Sequence, residues 1–219
     1  MTDAPVPTEE APALEVEPAA AVTLFGDRID LARSFTNELA RRGEELGLIG
    51  PLELPRLWTR HILNSVLLAP LLEARGRVAD VGSGAGLPGL VLAIARPDVE
   101  FSLIEPMERR TDWLRSEADR LGLENVTVVR GRAEDVADDI VADQVTARAV
   151  SALSKLIPLT VPLARSGGQL ILMKGARVDE EIDKARKVIL RKRLADVEVL
   201  ELGDGVVTET TRVFRATVD

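Results

Sequence analysis

The stretch 78–90, VADVGSGAGLPGL, constrains the chain more than any other. A short apolar run at Val78, Ala79 and Val81 leads into Gly82, Gly84, Gly86 and Gly89, and a helix-compatible run, LPGLVLAIA, follows. Glycine lets a backbone turn tightly and pass close to a ligand, and the helix that follows points its free N–H groups at the same place. The segment therefore reads as strand, Gly-rich loop and helix, the first unit of a doubly wound sheet. A βα turn without a ligand would not need so many glycines.

The glycine spacing leaves the ligand open. Counted from Gly82, the third glycine of a G-x-G-x-x-G fingerprint falls one place early, at Gly86, and Leu87 takes its position; counted from Gly84, the fingerprint fits through Gly86 and Gly89. Asp80 is a different signal, because a carboxylate beside the loop suits a cationic ligand and repels a pyrophosphate. The run D-x-G-x-G-x-G at 80–86 resembles the loop of class I S-adenosylmethionine (AdoMet) methyltransferases.

The rest of the chain supports an alternating α/β architecture. Strands are expected at 78–81, 99–105, 126–129, weakly at 145–150, at QLILMKG, and at 197–202 and 212–218, the last two as an antiparallel pair around GDG. Helices are expected at 87–95, over RRTDWLRSEADRLGL, at 153–164 and at 179–194, with Ser166-Gly167-Gly168 as a loop. This predicts a Rossmann-like domain over 76–219, its seven-stranded sheet mostly parallel and covered on both faces. Before it, helices at 24–48 and 55–72 make a small helical section over 21–75. Residues 1–20, with four prolines, five acids and no Lys or Arg, read as a disordered tail.

Composition narrows the function. The chain has no cysteine, which excludes disulfides, Cys-ligated zinc and a thiolate nucleophile, and no metal site is expected. No apolar run reaches membrane-spanning length and no basic-then-apolar leader opens the chain, so a soluble cytoplasmic protein, with no membrane partner and more simply a monomer, is expected. The net charge of −8 argues against a general nucleic-acid coat, but the tail holds five of those negative charges, and the −3 left on the body can hide a basic face.

Several residues could carry chemistry. Glu105 ends the second strand, where an acid about 20 residues past the loop binds ribose hydroxyls in this kind of fold. After the third strand, RGRAED offers the Ala133 backbone N–H and the Glu134 carboxylate for an adenine edge; an acidic helix N-terminus is the alternative reading. Arg148, in ARAVSAL, is either a cation at the site mouth or a partner for a helix acid. His61, the single histidine, is read as structural. The late basic residues read as a salt-laced solvated helix, except Lys174, which ends a strand at the edge where α/β sites form and could meet phosphate. The Asp/Asn-Pro-Pro-aromatic tetrapeptide of amino-group methyltransferases is absent from the stretch after the fourth strand.

RHILNS, DVGSGAGLPGL, and RAVSAL followed by LMKG together resemble the glucose-inhibited division protein B family, 16S ribosomal RNA guanine-N7 methyltransferases. The resemblance runs from about Leu57 onward. It implies AdoMet as cofactor, small-subunit ribosomal RNA or a ribosomal particle as partner, and cofactor contacts at Gly82, Leu87, Ala133, Glu134 and Arg148, beside the loop glycines Gly84 and Gly86. It also implies Arg109, Arg110, Arg132 and Lys174 as basic groups near cofactor or RNA, with Arg132, Arg148 and Lys174 positioning the reactants. The N-terminal part departs from the family, reading ELARRGEELGLIGPLELPRLW where Trp-Asn and Asn-Leu-Thr are usual. The other readings are a non-catalytic module that binds AdoMet and RNA, a small-molecule AdoMet methyltransferase and, disfavoured by Asp80, an NAD oxidoreductase.

Overall fold

A computed structural model of the chain describes residues 13–219. Two short helices open it, α1 (Ala20–Phe25) and α2 (Ile29–Arg42), separated by a 3-10 turn where one continuous helix was expected. The second expected helix begins with a 3-10 turn, becomes a π-helix over Leu57–Leu63 and ends in α3 (Asn64–Val66). The side chains explain the wide turn: Leu57, Trp58, Ile62 and Leu63 are all buried and recur five residues apart, a spacing that suits i→i+5 bonding rather than the α-helical turn.

The alternating part then runs β1 (Arg77–Val81), α4 (Gly89–Ala95), β2 (Glu100–Glu105), α5 (Glu108–Leu121), β3 (Val126–Arg130), β4 (Ala142–Arg148), α6 (Leu153–Thr160), β5 (Ala164–Lys174), α7 (Val178–Arg191), β6 (Leu194–Leu202) and β7 (Thr211–Val218). The seven strands lie in the order β3-β2-β1-β4-β5-β7-β6. The first five are parallel, and β7 is antiparallel to both β5 and β6. One core lies between the sheet and the N-terminal helices with α4 and α5, and includes Phe35, Trp58, Phe101 and Trp113. The other, on the opposite face, joins Leu156 and Ile157 of α6 and Ile189 of α7 to Phe214 of β7. The order reverses direction between β1 and β4, and a crevice opens at the carboxyl ends of the strands there.

Two strands differ from expectation. The fourth, expected to be weak, is a central strand paired on both sides. It reads as weak because ADQVTAR is polar, yet its polar groups have partners: the Gln144 amide receives the Glu73 N–H (2.8 Å) and donates to the Leu71 carbonyl (2.9 Å) and Gln169 (3.1 Å). Ser166-Gly167-Gly168, expected to be a loop, lies inside β5, where the register against β4 shifts between Ala142 and Gln144. Among the described residues, no helix is long and apolar enough to cross a membrane.

The reading of 1–20 as a disordered tail needs correction. Residues 1–12 lie outside the described residues, but 13–20 are seated on the helices. Glu15 accepts hydrogen bonds from the Thr59 backbone N–H (3.0 Å) and hydroxyl (2.8 Å), and Glu17 receives two from the Arg33 guanidinium (2.7 and 2.8 Å). Leu14 packs against the core. Two of the five acids, Glu15 and Glu17, are thus partners for specific donors. A chain beginning at residue 21 should melt about 4–8 °C below one beginning at residue 13, as a loss of about 2 kcal/mol would give at this size; equal midpoints in a thermal scan would contradict this seating.

Candidate active site

The crevice is a cavity of about 580 Å³, within the range of small-molecule sites. The loop after β1 forms its floor. The Gly82 and Ser83 N–H groups both donate to the Ile104 carbonyl (2.9 and 3.2 Å), clamping the loop to the end of β2. Gly84 has φ +54°, and a Cβ built there meets nothing nearer than the Gly82 carbonyl oxygen at 3.7 Å. Backbone at that position faces open space on the cavity side, in a conformation that costs other residues about 1–2 kcal/mol.

Glu105, at the carboxyl end of β2, is only 2% exposed. Its two carboxylate oxygens receive N–H bonds from Gly84 and Met107, both at 3.0 Å. A carboxylate has about four acceptor sites, so two remain for donors arriving from the cavity. Arg110 lines the same wall, with Nη1 4.0 Å from Glu105 and a buried Nε that has no partner. Gly131, Arg132, Ala133 and Glu134, after β3, form the facing wall, tied to β2 by the Gly131 N–H on the Glu105 carbonyl (3.2 Å).

Arg148 closes the fourth side from the end of β4. Its Nη2 donates to His61 Nδ1 at 2.7 Å, and His61 Nε2 lies 2.5 Å from the Glu53 carboxylate. A guanidinium can only donate, so His61 Nδ1 is the acceptor and Nε2 carries the proton toward Glu53. Burial and then the neighbouring Arg148 charge push the His61 pKa down, which keeps the ring neutral. Burial also pulls the Arg148 guanidinium down to about 10, with Arg60 acting the same way and Asp80 and Glu53 opposing. Burial pushes the Glu53 carboxyl up, but the hydrogen bonds from His61 and Arg56 together hold it below its ordinary value.

The cavity gathers most of the residues singled out from the sequence: Gly82, Gly84, Leu87, Glu105, Arg110, Arg132, Ala133, Glu134 and Arg148. Gly86 is not among its lining residues; a Cβ there would strike Leu90, so this glycine serves the approach of α4. Arg109 lies in a separate recess with Arg42 and Trp113. Lys174 lines an adjoining cavity instead: its side chain is 8% exposed, its ammonium paired with Glu181 at 2.8 Å and donating to the Ser151 carbonyl at 2.9 Å. The sequence reading of Lys174 as a phosphate-facing cation did not include this counter-charge, which α7 supplies. Of the other late cations, Lys184 and Arg186 are exposed on α7 beside Glu180 and Asp183, as the salt-laced reading expects of them. Sequence reasoning missed the site positions of Glu53 and His61; only the singularity of the histidine hinted at the second.

Asp80 is corrected as well. It is fully buried and does not line the cavity. Its Oδ2 accepts the Gly89 N–H at the start of α4 (3.1 Å), and its Oδ1 accepts the Thr146 hydroxyl on β4 (3.0 Å).

With this geometry in place, comparison with known proteins decides the family. The sequence model described as GidB, rRNA small subunit methyltransferase G, matches residues 28–209. The chain belongs to this family. A ribosomal RNA small subunit methyltransferase G from Clavibacter michiganensis is 64% identical over 205 residues, covering 94% of this chain and 97% of the relative. One from Pseudarthrobacter chlorophenolicus is 53% identical over 200 residues, covering 91% and 93%. Among solved structures, the tRNA (m1A58) methyltransferase of Aquifex aeolicus superposes with a TM-score of 0.55 at 15% identity, covering 71% of this chain and 68% of that one. A SAM-dependent O-methyltransferase from Thermotoga maritima gives 0.53 at 20% identity, covering 72% and 65%. These two likenesses establish the class I methyltransferase fold.

The Asp80 carboxyl carries a pH signature. Burial raises its pKa from 3.8 to about 6, against the hydrogen bonds from Ser83, Thr146 and Gly89. Between those values the folded protein holds a proton that the unfolded chain has released, so this group makes stability fall as pH rises from about 4 to about 6, and adds no slope above. Two units correspond to about 3 kcal/mol. Asp80→Asn should remove that part of the slope in denaturant titrations over pH 4–7; wild-type and variant profiles that run parallel would be inconsistent with it.

Proposed function

We propose that this methyltransferase moves the methyl group of AdoMet to N7 of a guanine in 16S ribosomal RNA, acting in the cytoplasm as a single chain on the RNA or a ribosomal particle. The observation that carries the reading is the convergence of the Gly84 backbone, the Glu105 carboxylate, the Ala133-Glu134 turn and Arg148 on one cavity. The residues present fit AdoMet. Glu105 keeps two acceptor sites for a ribose diol, Gly84 leaves its face clear, and Glu134 can accept from an adenine amine opposite. When bound, AdoMet supplies an electrophilic methyl on a sulfonium.

The chain's own groups suit an acceptor that needs no activation. There is no cysteine for covalent attack on a pyrimidine. Both ring nitrogens of His61 are engaged, one by Arg148 and one by Glu53, so neither is free to take a proton. Guanine N7 asks for neither, since its lone pair is exposed and carries no proton. Held by Gly84, Glu105 and Glu134, AdoMet would supply the methyl for an N7–C bond in exchange for its S–C bond, the electron pair staying with sulfur and the positive charge passing to the purine. What the protein contributes is alignment of the reacting atoms. Arg148, fixed by its donated bond to His61, is the group placed to hold the reactants in register.

The direct test is nucleoside mass spectrometry of 16S ribosomal RNA from cells with and without the gene, alongside transfer of labelled methyl by the purified protein. N7-methylguanosine should disappear without the gene and return with it; unchanged modification, or transfer to metabolites only, would overturn the reading. Gly84→Ala should leave a folded protein, since the new methyl meets only the Gly82 carbonyl oxygen, at an unstrained 3.7 Å. It should weaken AdoMet binding by roughly tenfold or more, through strain at a positive φ and a methyl standing where backbone meets ligand. Calorimetry giving near-normal AdoMet affinity for that variant would remove the loop from the site.

A further inference from the structure

A second cavity, of about 580 Å³, adjoins the first at the carboxyl ends of β4 and β5 and shares His61, Arg148 and Ala149 with it. Ala149, at the junction, holds φ +55°, a conformation that residues with a Cβ rarely adopt and that persists where surrounding structure enforces it. On the wall stands Asn64, the first residue of α3. Asn64 is 9% exposed, and its Oδ1 is buried with no hydrogen-bond partner. Buried polar atoms in folded proteins almost always have partners, so this carboxamide is incomplete as it stands. Three polar side chains nearby are already engaged: Lys174 by Glu181 and the Ser151 carbonyl, His61 by Arg148 and Glu53, and the Ser65 hydroxyl by the His61 carbonyl (2.6 Å).

We propose that this second cavity receives the acceptor purine, extruded from the RNA, and that the Asn64 carboxamide hydrogen-bonds to the edge of its six-membered ring. The inference rests on the methyl-transfer reading above. A carboxamide presents one acceptor and two donors side by side. The guanine lactam presents the complement, O6 as acceptor and N1–H as donor. Pairing there leaves N7, on the five-membered ring, without a bond from Asn64 and free to attack. Enzymes that act on a base take it out of the stack and read it by its Watson–Crick edge. The Arg148 and His61 side chains, which face both cavities, provide planar groups on which a base can stack. A base seated here stands next to the cofactor cavity with only the 148–149 corner between them.

The test uses the purified full chain, labelled AdoMet and small-subunit ribosomal RNA or particles from cells lacking the gene. Asn64→Leu and Asn64→Ala should each lower kcat/KM for RNA by about 10–100-fold, the range for losing a buried hydrogen bond to substrate. AdoMet affinity should stay within about twofold, because Asn64 is not part of the first cavity. The Asn64→Leu melting temperature should hold or rise, since removing a partnerless buried carboxamide removes a destabilising group. A purely structural asparagine would give the reverse pattern, a lower melting temperature with kcat/KM preserved, and that result overturns the inference. An active wild type whose two variants both keep full kcat/KM also overturns it and leaves the methyltransferase reading standing; a wild type that methylates no ribosomal RNA overturns both.

Discussion

One buried carboxylate holds the site's scaffold in position. Asp80 joins three elements that must meet at a fixed distance: β1, which carries it, the start of α4 through the Gly89 N–H, and β4 through the Thr146 hydroxyl. The Gly-rich loop is suspended between the first two, so its path follows from how closely α4 sits on the sheet. Gly89 permits that closeness, because any side chain there would run into Leu103 and Asp80 itself. The desolvation that this arrangement imposes on Asp80 is partly offset by its hydrogen bonds, and the remainder appears as a raised pKa.

The helical section before the sheet is part of the site, not an appendage to it. Leu48, Ile49, Gly50 and Glu53 line the cavity, and the π-helix brings His61 against Arg148. The cation at the end of β4 is thus oriented by residues far earlier in the chain, through a neutral imidazole whose far nitrogen is fixed by a carboxylate. A positive charge on that imidazole would face Arg148 directly and remove the acceptor that holds it, so burial of the ring and the role of the arginine are linked.

The architecture was legible where apolar periodicity was strong: β1, β2, β5 and the helices on either face stand close to where the pattern put them, as does the antiparallel pairing of β6 with β7. It was illegible where polar residues belong to the interior. In β4, Gln144 and Thr146 look like surface, because nothing in one sequence shows that Glu73, Leu71 and Asp80 are waiting for them. The Asp80 misreading has a sharper cause. Side chains alternate across a strand, and Val78 packs in the core on the α4 side while Ala79 and Val81 face the other. Asp80 therefore points under α4, not at the loop's ligand. The ion pair of Lys174 was hidden for the same kind of reason: its partner, Glu181, sits on α7, and an amphipathic helix does not announce which acid turns inward. The pairing of His61 with Glu53 came from a π-helical turn that α-helical periodicity cannot anticipate.

The place of β7 in the sheet has a consequence for how the molecule is made. Among the described residues β6 has β7 as its only neighbour in the sheet, and β7 lies between it and β5. During synthesis β6 emerges first and has nothing to pair with, while β5 presents an apolar open edge of Leu170, Ile171 and Leu172. Such an edge is a template for pairing with another chain. The interval between the appearance of β6 and the insertion of β7 is therefore when a nascent copy is most exposed to self-association. The charged groups that line β6 and β7, Glu198 and Arg215 among them, meet only once the insertion has happened, so their ion pair forms with the finished sheet.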